Sequence, residues 1–114
     1  TKGKIVARMP VDQRTFQPQK LLHGGATMAL AETVGSAGSY MLVDRDKFYV
    51  VGLEINGNHV SSATSGFVTA TAQIIHQGKT THVWDIRIND ESGKLISVCR
   101  ITNMVVEIKT GMVK

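Results

Sequence analysis

Residues 24–42 read GGATMALAETVGSAGSYML, a run that leaves few folds open. Ala26, Met28, Ala29, Leu30, Ala31, Val34 and Ala37 favour helix, and Gly24-Gly25 mark its start. Nearly every face of that helix is apolar or small. A helix of this kind has to be enclosed by other structure. Gly35, Ser36, Ala37, Gly38 and Ser39 allow another backbone to approach closely. A membrane is not the expected surrounding, because the run is short, contains Glu32 and is dense in Gly and Ser.

The remaining segments alternate like strands. From Lys4 to Val11, Ile5, Ala7, Met9 and Val11 alternate with Lys4, Val6, Arg8 and Pro10. Pro10 lacks a backbone donor and predicts a strand end or an edge. Pro18 argues against helix in the polar segment from Asp12 to Lys20. Val50 to Val60 puts Val51, Leu53, Ile55 and His59 on one face, and Phe67 to Gln77 puts Val68, Ala70, Ala72 and Ile74 on one face. Gln77-Gly78-Lys79 reads as a tight turn into Thr80 to Asn89, where Trp84, Ile86 and Ile88 alternate with Asp85, Arg87 and Asn89. Asp90-Glu91-Ser92-Gly93 is a hairpin signal before a last strand, Lys94 to Ile108. The order β-α-β-β-β-β predicts an α+β architecture, one enclosed helix against a mostly antiparallel five-stranded sheet. No repeat or linker interrupts the 114 residues, so a single domain spanning 1–114 is expected.

Composition narrows the partners. Thirteen basic against nine acidic side chains give a net charge of +4, too weak a bias to imply nucleic acid. Aromatic residues make up 5%, which disfavours a base-stacking platform. Cys99 is the single cysteine and cannot form an internal disulfide, so a cytoplasmic protein is expected. No secretory signal is visible, and the chain opens on Thr1 as a fragment or processed chain does. His23, His59, His76 and His82 lie on separate segments without H-E-x-x-H spacing, so no metal site is expected. Cys99 reads as a small packed side chain, and Trp84 as a core or interface residue whose N–H needs a partner.

Glu32 is the anomaly, the only formal charge between Lys20 and Asp44. Burying an unpaired ionised carboxylate costs on the order of several kcal/mol, comparable with a domain's whole stability. The other eight acids fall in turns or on solvent faces of strands. Leu22-His23-Gly24-Gly25 leads the helix, and a helix start offers unpaired N–H groups suited to a developing oxyanion. Gly24 and Glu32 are eight residues apart, hence about 12 Å along one helix. A nucleophile and an oxyanion donor must both lie roughly 3 Å from one reacting group. One straight helix cannot meet that condition. Two helices paired across a twofold axis can, each lending its Glu32 to the other's start, and this predicts a homodimer with composite sites.

The pattern Q-P-x-x-L-L-H-G-G-A-x-x-x-L-A-E-x-x-G-S, from Gln17 to Ser36, resembles the hotdog-fold acyl-CoA thioesterases. It is closest to the branch of 4-hydroxybenzoyl-CoA thioesterase and 1,4-dihydroxy-2-naphthoyl-CoA hydrolase. The resemblance continues through Met9-Pro10-Val11-Asp12, Val51-Gly52-Leu53-Glu54-Ile55-Asn56, Asn58-His59-Val60 and Val83-Trp84. It implies a long central helix wrapped by the sheet, subunits paired across it, and a dimer of dimers as the common larger assembly. It implies Glu32 as the catalytic carboxylate, either nucleophile or general base, and Gly24 as the backbone N–H that polarises the thioester oxygen. His23 and Gln17 would shape that site, and Ser36 would face Glu32 from one turn on. Gly52, the stretch His59, Val60, Ser61, Ser62, and the turn His76, Gly78, Lys79, Thr80, Thr81 match segments that contact the CoA arm. The expected partner is therefore an acyl-CoA. Neither metal nor cofactor is required, CoA being part of the substrate. The chain departs from many relatives in two places: Gln19-Lys20 replaces Phe-Gly, and Ser61 replaces Arg after Asn-His-Val. Two other readings stay open at this point. One is a hotdog hydratase or dehydratase of 3-hydroxyacyl thioesters, working through a His-acid pair. The other is a non-catalytic acyl-CoA-binding module.

Overall fold

A computed structural model of the chain describes residues 3–109. Strand β1 (Lys4–Pro10) leads through a loop to helix α1 (Gly24–Leu42), and four strands follow: β2 (Phe48–His59), β3 (Phe67–Gln77), β4 (Thr81–Asp90) and β5 (Leu95–Glu107). They form one sheet in the order β1-β3-β4-β5-β2, every neighbouring pair antiparallel. The expected α+β arrangement of one helix and five strands is what the chain adopts. Pro10 closes β1, which is an edge strand, so its missing donor breaks no ladder. No described helix is long and apolar enough to cross a membrane.

The helix-facing side of the sheet follows the alternation in β3 and β4. Val68, Ala70, Ala72, Trp84, Ile86 and Ile88 are buried there with Ile101, Cys99 and Ile96 of β5. Against them the helix sets Thr27, Ala31, Val34, Gly35, Gly38 and Ser39. Small residues are required on this face. A Cβ on Gly35 would stand 2.4 Å from Ile101 Cγ2, and one on Gly38 2.6 Å from the Trp84 ring.

Two expectations need correction. The helix is enclosed on one side only: Ala29, Glu32 and Thr33 are exposed on the opposite face, and Ser36 and Ala37 are half-buried. A single chain therefore does not surround α1, and it does not bury Glu32. In β2 the face predicted from strict alternation is also wrong. Val51 is 40% and Leu53 53% exposed. A bulge between Gly52 and Glu54 inserts Leu53, so the phase changes there. Gly52 pairs with Asn103 and Ile55 with Ile101, both of which point to the helix, and Val51 and Leu53 face away.

Beneath the second half of α1 lies a buried polar group of four side chains. Ser39 Oγ accepts from Trp84 Nε1 (2.8 Å) and Asn103 Nδ2 (3.0 Å), and sits 2.9 Å from His82 Nδ1. Indole and amide nitrogens can only donate, which fills both lone pairs of the hydroxyl. Its own proton must go to His82 Nδ1, which is therefore the bare nitrogen. Burial, helped by His76 nearby, holds His82 below the ordinary histidine range and keeps it neutral. The second Asn103 Nδ2 hydrogen goes to Gly35 O at 3.2 Å. Turning the amide over would set two acceptors against each other, so its orientation is fixed. Asn103 Oδ1 is left buried without a partner. The N–H expected of Trp84 to need a partner has one, and Cys99, 1% exposed with its thiol pushed up by burial, is packed as expected.

Candidate active site

The helix start is assembled from three segments. His23 N–H donates to Thr15 O (2.7 Å) and Leu22 N–H to Ala63 O (2.9 Å), tying the entry between two loops. His23 is the N-cap, and its Nδ1 accepts from Gly25 N–H at 2.8 Å. Thr27 N–H makes the first backbone bond of the helix, to His23 O. Gly24 N–H precedes that bond and has no acceptor among the described residues. The His59 ring stands against Gly24, where an added Cβ would lie 3.0 Å from His59 Nε2. His59 Nδ1 is anchored 2.8 Å from Ser97 Oγ. Gln17, Gly24, Thr27, His59, Ser61 and Ser62 line a cavity of about 150 Å³ at this end. Here the chain can offer one free amide and a histidine ring to a carbonyl oxygen.

Most residues named for the oxyanion side thus come together. His23 acts on the helix itself, capping Gly25. Gln17 Nε2 donates to Gln19 Oε1 (2.7 Å), and its own Oε1 accepts from Gln19 N–H. Val60 lies at the rim, 56% exposed, with its N–H on Ile96 O. Lys20 has φ 63, a left-handed conformation that costs glycine nothing. The Gln19-Lys20 departure noted in the sequence thus falls at a turn whose backbone suits glycine.

Glu32 lies two turns along, on the open face of α1, and forms no hydrogen bond or ion pair among the described residues. Its carboxylate leans over β2: a Cβ built on Gly52 would be 3.6 Å from Glu32 Oε2 and 3.9 Å from Asn103 Oδ1. Ser36, one turn on, makes no hydrogen bond to it. The β3–β4 turn belongs to this second half of the molecule, since Thr81 and His82 pair with Met104 and Asn103. Gly78 N–H donates to Thr81 O, Val105 N–H to Thr80 O, and Lys79 and His76 are exposed. The named residues therefore form two groups. One holds Gln17, Gly24 and the His59–Ser62 stretch; the other holds Glu32, Gly52 and the His76–Thr81 turn. Within one chain Glu32 and Gly24 do not meet, as the axial rise of about 12 Å requires. Asn103 and Ser39 were missed by sequence reasoning, because a polar residue in a strand or helix reads by default as solvent-facing.

Residues 19–97 match the Thioesterase superfamily. A thioesterase of Pseudomonas aeruginosa, solved with a Gln→Ala substitution, superposes with a TM-score of 0.93 at 50% identity, covering 95% of this chain and 78% of that one. A thioesterase of Staphylococcus aureus has been solved as a Glu→Ala and as a Gln→Ala variant, each 50% identical, with TM-scores of 0.93 and 0.90. Those alignments cover 95% and 92% of this chain and 89% and 87% of the other. The 1,4-dihydroxy-2-naphthoyl-CoA hydrolase of Escherichia coli strain K12 is 47% identical over 101 residues, 89% of this chain and 74% of that protein.

Proposed function

The chain belongs to the Thioesterase superfamily and is a hotdog-fold thioesterase, and from that premise we propose that it hydrolyses an acyl-CoA, with an aryl acyl group, in sites shared between two copies. The name of the Escherichia coli relative supports both the CoA arm and the aryl group. One observation carries the shared site. The free Gly24 amide and the Glu32 carboxylate are on one helix, too far apart to reach one carbonyl, and the Glu32 face of that helix is open.

Pairing the open faces of two helices brings each Glu32 toward the other copy's helix start and covers Ala29, Thr33 and Ala37. The thioester oxygen accepts from Gly24 N–H, and the positive end of the helix dipole favours the charge that develops there. His59 and Gln17 border the carbonyl, His59 held by Ser97. Glu32 of the second copy, with Ser36 beside it, reaches the carbonyl carbon either as a nucleophile whose anhydride water then cleaves, or through an attacking water whose proton it takes. Collapse of the tetrahedral species expels CoA thiolate, which leaves as the thiol once protonated. On the Glu32 side, Lys79 and the Thr80 and Thr81 hydroxyls lie at a turn where CoA phosphates can be met by one cation and two donors. The two Staphylococcus aureus variants support the choice of residues: their altered glutamine and glutamate are 15 positions apart, the separation of Gln17 and Glu32.

The test is a thiol-release screen over benzoyl-, hydroxynaphthoyl- and aliphatic CoAs, run with wild type, Glu32→Gln and Gly24→Val. Glu32→Gln is expected to lose turnover by at least about 100-fold with a small change in KM. A mixed dimer of the two variants keeps one intact site and should regain part of the lost rate. Wild-type turnover in Glu32→Gln, or no recovery on mixing copies that do exchange, refutes the shared-site reading.

A further inference from the structure

Asn103 Oδ1 is the one buried side-chain oxygen or nitrogen among the described residues with no hydrogen-bond partner. Such orphans are rare in folded proteins and call for a physical cause. Its direction is not accidental. Both Nδ2 hydrogens are committed to Gly35 O and Ser39 Oγ, so the oxygen must face the other way. There it borders the same Cβ-sized space over Gly52 as Glu32 Oε2. The two oxygens lie 3.6 and 3.9 Å from that one point, and a carboxylate and an amide oxygen are both acceptors, so no hydrogen bond can join them while Glu32 is ionised. Glu32 gains a hydrogen to donate only by becoming a carboxylic acid.

We propose that Asn103 Oδ1 is the acceptor for the proton that Glu32 removes from the attacking water, which makes Asn103 a positioning residue and Glu32 a general base. The inference rests on the thioesterase reading above. As the water oxygen bonds to the thioester carbon, one of its protons passes to Glu32, and the C=O electron pair moves to the oxygen held at Gly24 N–H. The new Glu32 O–H donates to Asn103 Oδ1. When the C–S bond breaks, the thiolate takes that proton back and Glu32 returns to the carboxylate. A nucleophilic Glu32 would form an anhydride and would need no acceptor beside it, so the orphaned oxygen favours the base. Ser39, His82 and Trp84 then serve the reaction through Asn103, by holding its amide the right way round.

Few other titratable groups face α1. On the helix-facing side of the sheet His59 lies at Gly24, Cys99 beneath Gly57, and His82 behind Ser39, while Asp90 is bonded within its own hairpin. β1 and the inward residues of β3 carry no charge toward α1, and Tyr40 on the helix donates to Val50 O.

The experiment pairs Asn103→Leu, close in volume but without the oxygen, with Glu32→Gln. In Asn103→Leu, kcat should fall about tenfold with KM within about twofold, and the acidic limb of the kcat profile should move to lower pH. A residue that merely fills space would leave that limb in place. Glu32→Gln supplies an amide N–H to the orphaned oxygen, so its Tm should rise by about 4 °C in the wild-type background and not in Asn103→Leu. A single turnover in ¹⁸O-water should label the released acid and leave Glu32 unlabelled. Unchanged kcat and pH limb in folded Asn103→Leu, beside an inactive Glu32→Gln, overturn this inference and leave the thioesterase site standing. An active Glu32→Gln removes that site instead. If Asn103→Leu does not fold, absence of the Tm gain in Glu32→Gln, or label found in Glu32, overturns it.

Discussion

Replacing Ser39 with Ala tests the buried polar group directly. The hydroxyl is 0% exposed and serves Trp84 Nε1, Asn103 Nδ2 and His82 Nδ1. Its loss leaves the indole N–H and the histidine nitrogen without partners, whereas Asn103 Nδ2 keeps Gly35 O. An orphaned buried polar group costs about 1–3 kcal/mol, so two come to about 2–6 kcal/mol. Ala is the better helix former by roughly 0.5 kcal/mol, which trims the total to about 2–5 kcal/mol. That is a large part of a stability of about 5–15 kcal/mol. Urea unfolding followed by Trp84 fluorescence and far-UV circular dichroism measures the loss. Protomer concentration has to be held fixed, because pairing of copies couples to folding. Trp84→Phe supplies the cross-check: it removes the indole donor, and it should cost less in the Ser39→Ala background than in wild type. A loss under about 1 kcal/mol for Ser39→Ala, or equal Trp84→Phe effects in both backgrounds, would show that the hydroxyl does not hold these groups.

Two further outcomes follow from the same geometry. Burial depresses the pKa of His82 from 6.5, so the unfolded chain takes up a proton that the folded chain refuses as pH drops through that value. Its contribution is fully present above 6.5 and is lost progressively as pH falls below that value; His82→Gln should flatten that slope in urea titrations, and an unaltered slope would exclude His82 as its source. Gly24→Ala places a methyl 3.0 Å from His59 Nε2, over the approach to the free amide, at a position where Ala is a better helix former than Gly. Turnover should drop about tenfold or more, and normal turnover with that methyl in place contradicts the assignment.

Much of the fold could be read from residue types and spacing. The helix bounds 24–42, the buried alternation of β3 and β4 and the Asp90–Gly93 hairpin all appear where expected. Glu32 stood out because no other charge lies near it in sequence. Its surroundings were not legible, since the helix pattern says that a face must be covered and does not say which chain covers it. The face of β2 was misread for a local reason. Strict period-two reasoning fails past an inserted residue, and nothing about Leu53 as a residue type announces a bulge. Asn103 and His82 escaped because their burial depends on one shared hydroxyl, Ser39, from another element. Polar groups that satisfy each other across the core leave no periodic trace.

The extra residue in β2 has a consequence for how such a chain can change over time. Gly52 and His59 are seven positions apart, an odd number, and an unbroken ribbon would aim them in opposite directions. Leu53 restores the parity, so one strand supplies floor space to the carboxylate at one end and a wall to the amide at the other. Deleting or adding a single codon between Gly52 and His59 would turn one of these two positions away from the helix while leaving the other in place.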